Sequence, residues 1–137
     1  MGKGAVQYGA LPWRRGPDGA VEVLMITTRT TGRWIIPKGW PIADRAPHEA
    51  AAQEAWEEAG VRGEMGAEAI GAYGYDKLKK DGAVKRLRVD VFPLAVAQEA
   101  PDWPEAPERE RRWFAQEEAA AIAGEPELAT LLRGFTP

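Results

Sequence analysis

Glu54, Glu57 and Glu58 fall within one short segment, EAWEEAG. Spacings of three and four residues bring side chains onto one side of a helix. Like charges so placed disfavour a helix by roughly 0.2–0.5 kcal/mol per pair. They also crowd the last turn before Gly60, where the helix macrodipole favours cations. No lysine or arginine lies within that turn. A helix that breaks both rules implies compensating charge from elsewhere, and a bound divalent cation supplies it. Ala52, Ala55 and Ala59 lie on the opposite side, where they are expected to pack against a core.

The elements that must position this helix are legible as patterns. An apolar stretch over residues 5–13 runs into Arg15-Gly16-Pro17-Asp18-Gly19, a strong turn signal. VEVLMITTR follows, rich in β-branched residues and suited to a core strand. Trp34, Ile35 and Ile36 form a short extended segment stopped by Pro37. Pro47 suits the first turn of a helix running to about Ala59, with Gly60 as a left-handed terminator. Residues 67–76 and 84–97 read as two strands joined through Lys80-Asp81-Gly82. A loop rich in proline and acid spans 99–108, Trp113-Phe114 suits one more strand, and a final helix begins at Glu117, interrupted near Gly124 and Pro126. Strands interleaved with helices, hairpins included, predict an α/β (α+β) fold with a mixed β-sheet covered on both faces. No repeat or linker divides the chain, so one domain over 1–137 is expected.

The glutamate helix follows directly on a strand and the Pro37-Lys38-Gly39 loop. A loop tied to a strand end can hold a backbone carbonyl beside the helix carboxylates. An oxygen-only donor set of this kind suits Mg²⁺, with Mn²⁺ as its substitute, and leaves coordination positions for water and phosphate oxygens. Such an ion polarises a phosphoryl group and acidifies a bound water.

Residues 39–61 resemble the Nudix box, G-x5-E-x7-R-E-U-x-E-E-x-G-U, with U aliphatic. Gly39, Glu54, Glu57, Glu58, Gly60 and Val61 fall in register. Arg45 stands at the early glutamate, Gln53 at the arginine, and the small Ala55 at the first aliphatic position. One anionic and one cationic member are exchanged together, so the local charge stays near balance. TTRTTGRWIIPKG before the box, and AQEAPDWPEAPERERRWFAQEEA after it, are similar to the branch that hydrolyses diphosphoinositol polyphosphates and dinucleoside polyphosphates. The resemblance implies an α/β/α sandwich and a Mg²⁺-dependent hydrolase of phosphoanhydride bonds. Within it Glu54 and Glu58 are metal ligands, the carbonyl of Gly39 is a further ligand, and Glu57, in the same metal-holding trio, is the general base. Thr28, Arg29, Arg33 and Lys38 match residues that contact phosphates, as do Arg88 and, on the same later strand, Lys85 and Arg86.

Polyphosphate needs several cations, and arginine grips it in bidentate fashion. Arg86 and Arg88, two apart on a strand, share a face. Lys79 and Lys80 belong to a hairpin turn and serve solubility. His48, the single histidine, is expected to pack or cap near the helix start, and Trp56 to pack at the edge of its buried side. Trp103, in a polar loop, fits either a core position or the border of the substrate site.

Composition narrows the remaining classes. A net charge of −3 gives no general nucleic-acid footprint. The absence of cysteine excludes disulfides and thiolate sites and fits a reducing compartment. No apolar run approaches a membrane span, no leader pattern opens the chain, and Val6 replaces the hydroxyl residue that N-myristoylation at Gly2 requires. The expectation is a cytoplasmic protein acting on a small polyphosphate, without nucleic-acid or membrane partners. Two alternatives stand: a dinucleoside polyphosphate hydrolase, and a Nudix-fold binding module that senses a phosphorylated ligand without turnover.

Overall fold

A computed structural model describes residues 5–137; Met1 and Gly2, the positions of the acylation signal, lie outside the described residues. The strands are β1 (Val6–Arg15), β2 (Val21–Thr27), β3 (Trp34–Ile35), β4 (Lys38–Gly39), β5 (Val61–Met65), β6 (Gly71–Leu78), β7 (Val84–Glu99) and β8 (Arg111–Ala115). The helices are α1 (Pro47–Glu54), continued by one π turn over Ala55–Ala59, α2 (Gln116–Ile122) and α3 (Pro126–Gly134). One eight-stranded mixed sheet results, as the pattern predicted. Its centre is the parallel pair β1 and β7, with Val6 opposite Arg88 and Trp13 opposite Ala95; all other pairings are antiparallel.

β7 serves two partners in succession. Its first half pairs with β6 as far as Val91, and its second half pairs with β5 from Leu94. Pro93 stands at the changeover, where its missing N–H interrupts neither ladder. β5 was not foreseen from the sequence. VRGEM carries one fully buried residue, Val61, and a bulge at Arg62/Gly63, so neither alternation nor an apolar run announces it. The strand expected from residue 67 begins at Gly71, because 66–70 connect β5 to β6.

Cross-strand partners share a face, which assigns the layers. Tyr8, Phe92 and Asp90 lie on the α1 face, where His48 packs 6.4 Å from Phe92. Trp13 lies on the other face and meets Phe135, just beyond α3, at 6.1 Å. The fold is therefore the expected α/β/α sandwich. Leu11, Leu24, Met25, Ile26, Ile36, Val89, Leu128 and Leu132 are fully buried between the layers. Burial of such side chains contributes roughly 1.5–3 kcal/mol each.

Candidate metal and phosphate site

The glutamate helix departs from a plain α-helix where its chemistry begins. After Glu54 it widens into the π turn, and the Gly60 N–H reaches back to the Ala55 and Trp56 carbonyls. A wider turn advances each residue through a smaller angle, so i+4 stays near its start while i+3 swings away. Glu58 therefore remains beside Glu54, but Glu57 is carried off toward Gln53, whose Nε2 donates to Glu57 Oε2 at 2.6 Å. The buried side is also rotated from the expected one. Ala51, Ala55 and Ala59 are fully buried and Ala52 is half-buried. Glu58 lies on the buried side with them, only 7 % exposed.

Gly39 makes room for this arrangement. A Cβ there would stand 2.8 Å from Glu54 Oε1 and closer still to the rest of that carboxyl, so a side chain at 39 would push the carboxyl out of its present place. Glu58 Oε1 accepts the Lys38 backbone N–H at 3.3 Å. Arg109, whose side chain is also buried, completes the surroundings. Its Nη2 lies 3.9 Å from Glu58 Oε2, its Nε donates to Glu105 at 2.8 Å, and its Nη1 donates to the Thr27 carbonyl at 2.9 Å. Burial pushes the Glu58 carboxyl up to about 8, opposed by Arg109 and reinforced by Glu54. Burial likewise raises Glu54, with Glu57 and Glu105 adding to it, and lowers the Lys38 ammonium.

The residues fit a hard divalent ion. Among the described residues no three carboxylates converge closely enough to hold one, so Glu57 does not join Glu54 and Glu58 in a three-carboxylate cluster as the sequence suggested, and the side chains that would hold an ion are Glu54 and Glu58. Two carboxylates, one of them buried and disfavoured as an anion, suit Mg²⁺, which keeps several waters and takes substrate oxygens. Gly39, on β4, lies against the Glu54 carboxyl.

The segment after β7 supplies what the helix lacks. The Glu105 N–H donates to the Glu57 carbonyl at 3.0 Å, Trp103 Nε1 to the Glu58 carbonyl at 3.0 Å, and Arg111 Nη1 to the Ala59 carbonyl at 2.9 Å. Arg111 also stacks on Trp103 at 4.0 Å. The cation absent from the turn in sequence thus arrives from β8, and Trp103 is a clamp on the helix end. Trp56 is half-buried under the Arg62 guanidinium, 3.7 Å from its ring centroid.

The expected phosphate contacts divide into groups. Thr28 and Arg29 follow β2 and face the 106–110 segment across a cleft of about 610 Å³, and Arg33 lies outside its lining. Thr28 Oγ1 is engaged by Thr31 and by the Arg33 N–H, Arg29 pairs with Glu108, and Arg33 donates to the Gly124 carbonyl. Lys38 lies on the α3 face of the sheet, its Nζ 4.6 Å from the Tyr75 ring centroid. Arg86 and Arg88 share one face of β7, as alternation required, and the Arg86 guanidinium reaches Glu127 of α3. Lys85 does not join them, because it alternates onto the face of Leu87 and Tyr75.

Arg109 and Glu105 escaped the sequence reading as individual site residues. The run Glu108-Arg109-Glu110-Arg111-Arg112 looks like solvated charge. Its period of two was a usable signal, since Arg109 and Arg111 point inward while Glu110 and Arg112 are exposed.

The family profile described as NUDIX domain matches residues 7–135 of the chain. The chain belongs to the Nudix family. It is 34% identical over 131 residues to Nudix hydrolase 21, chloroplastic, of Arabidopsis thaliana, covering 93% of this chain and 64% of that protein. It is also 34% identical over 104 residues to diphosphoinositol polyphosphate phosphohydrolase 3-alpha of Mus musculus, covering 74% and 59%. The chain spans under two thirds of the length of each of these two relatives. The solved Ap4A hydrolase of C. elegans superposes with a TM-score of 0.64 at 23% identity over 94% of this chain and 93% of that one. The dihydroneopterin triphosphate pyrophosphohydrolase of E. coli gives 0.70 at 16% over 97% and 95%. These structures share the Nudix fold described above. Among the described residues, no helix is long and apolar enough to cross a membrane.

Proposed function

We propose that the chain acts as a single-domain, Mg²⁺-dependent Nudix hydrolase that cleaves a phosphoanhydride bond in a nucleoside- or inositol-diphosphate-type substrate. The observation that carries this reading is the Glu54 carboxyl packed into the space left by Gly39, beside the buried Glu58. Glu54, Glu58 and the Gly39 carbonyl would hold the ion, which supplies charge neutralisation on the phosphate oxygens and an acidified water. Glu57 is the general base: Gln53 orients its carboxylate through Oε2 and leaves Oε1 to accept a proton. Arg29, Arg33 and Lys38 approach from β2 and β4, and Arg86 and Arg88 from β7, to hold the phosphates in line. A reducing, Mg²⁺-bearing compartment such as the cytoplasm fits a chain without cysteine.

Product release from a panel of sugar nucleotides, diphosphoinositol compounds, dinucleoside polyphosphates and nucleoside triphosphates, with and without Mg²⁺, tests the reading. Metal-dependent turnover lost in Glu57→Gln supports it. Binding without turnover, unaltered by that substitution, supports the sensing module instead, a reading favoured by Arg45 and Gln53 at the two exchanged box positions.

A further inference from the structure

The last turn of the glutamate helix is held from outside. The successive carbonyls of Glu57, Glu58, Ala59 and Gly60 each accept a hydrogen bond from the 100–111 segment. Their donors, in that order, are the Glu105 N–H at 3.0 Å, Trp103 Nε1 at 3.0 Å, Arg111 Nη1 at 2.9 Å and the Ala100 N–H at 2.9 Å. Carbonyls at a helix end have no partner within the helix and must find a donor elsewhere. A π turn is rare, and this set of donors gives the chain a reason to keep one here.

Of the four donors, Trp103 acts on Glu58 itself. Its place is fixed by a tight turn: its own N–H donates to Asp102 Oδ1 at 3.0 Å, and its carbonyl accepts the Ala106 N–H at 3.1 Å. The ring lies under the Arg111 guanidinium at 4.0 Å. It also packs on Gly60, where a Cβ would stand 2.9 Å from two atoms of the Trp103 side chain. The indole bond fixes the peptide plane after Glu58, and so the direction in which that side chain leaves the helix. At its far end, Glu58 Oε1 accepts the Lys38 N–H and Oε2 faces Arg109. Relaxation to an α turn would enlarge the angle per residue, swing Glu58 off these partners and return Glu57 toward Glu54.

We propose that Trp103 is a positioning residue for the metal site: its indole N–H holds the π turn, keeps the Glu58 carboxylate beside that of Glu54, and keeps Glu57 out of the pair. This deepens the reading under Proposed function and rests on it for the role of Glu58 as a ligand.

Trp113 provides a matched control. It too is half-buried, its Nε1 donates to Glu99 Oε2 at 3.0 Å, and Arg14 stacks on its ring at 4.0 Å, but these partners lie off the helix. Titration of the full chain with Mn²⁺, the free ion read by electron paramagnetic resonance, gives metal affinity without any substrate. Trp103→Phe weakens Mn²⁺ binding by roughly tenfold or more, as expected when a group that orients a metal ligand is lost. Trp113→Phe stays within about twofold of wild type. A merely structural role would lower the melting temperature of Trp103→Phe and leave its Mn²⁺ affinity in place. Unchanged affinity in Trp103→Phe, or an equal loss in Trp113→Phe, overturns the proposal. Where Trp103→Phe does not fold, the ¹⁵N–¹H indole signals of the wild type decide. Added Mg²⁺ shifts the Trp103 signal more than the Trp113 signal if the proposal holds, and an equal or reversed response overturns it. A wild type that binds no Mn²⁺ overturns the proposal together with the metal reading. Mn²⁺ binding that is weakened by Trp103→Phe, in a chain that hydrolyses no substrate, sinks the catalytic reading alone.

Discussion

Arg111 Nη1 donates a hydrogen bond to the carbonyl oxygen of Ala59 at 2.9 Å, joining β8 to the end of the glutamate helix across 52 residues of sequence. Three acidic side chains at a helix C-terminus oppose the macrodipole, and this guanidinium supplies the missing positive charge there. Arg111→Gln should destabilise the fold by about 1–3 kcal/mol, since it leaves partly buried carbonyls without their charged donor. Thermal unfolding of the variant checks this, and a melting temperature unchanged from wild type refutes it.

The Glu54 carboxyl fills the space where a side chain at position 39 would stand. Gly39→Ala should displace the Glu54 carboxylate and lower turnover by about 100-fold or more, because small misplacements at a reacting centre are costly. Circular dichroism should show the sheet retained. Full activity with alanine at 39 would mean that the approach of β4 to the helix is dispensable.

Glu57 is held by Gln53 and does not converge with the Glu54–Glu58 pair. Glu57→Gln should lower kcat by roughly 10²–10⁴-fold, the range for loss of a general base. Metal affinity, read from Mn²⁺ titration, should change far less than in Glu58→Gln. A larger loss of metal binding at 57 than at 58 would reverse the two roles.

Glu58 predicts an unusual pH dependence for the metal-free protein. Its folded value of about 8 exceeds the ordinary 4.5, so the folded chain holds a proton that the unfolded chain has released. Stability then falls as pH rises from about 5 to 8, opposite to a salt-bridged carboxylate. Melting temperature measured across that window should drop by several degrees, flatten with added Mg²⁺, and lose the slope in Glu58→Gln.

Gln53 already orients Glu57, so restoring the common box residues should retune rather than rescue. Arg45→Glu with Gln53→Arg together should change kcat by less than about tenfold, or 1.4 kcal/mol. A gain of several orders of magnitude would show that the present box is degenerate.

The sequence by itself determined the interleaved strands and helices, the hairpin through Asp81-Gly82, the interruption before Pro126 and the register of Gly39 with Glu54, Glu57 and Glu58. These are local signals: side-chain periodicity, turn chemistry and fixed spacing along one helix. It could not reveal β5, whose charged residues give no alternation and which exists because the second half of β7 offers an unpaired edge. Nor could it foresee the π turn, which separates Glu57 from Glu54 by altering the angle per residue without altering the spacing.

Only the tertiary structure decided the electrostatics. Arg109 reaches Glu58 from 51 positions away, and Arg111 caps the helix from a different strand. Charge compensation depends on distance through space in a medium of low polarity, and the chain order of the partners carries no record of it.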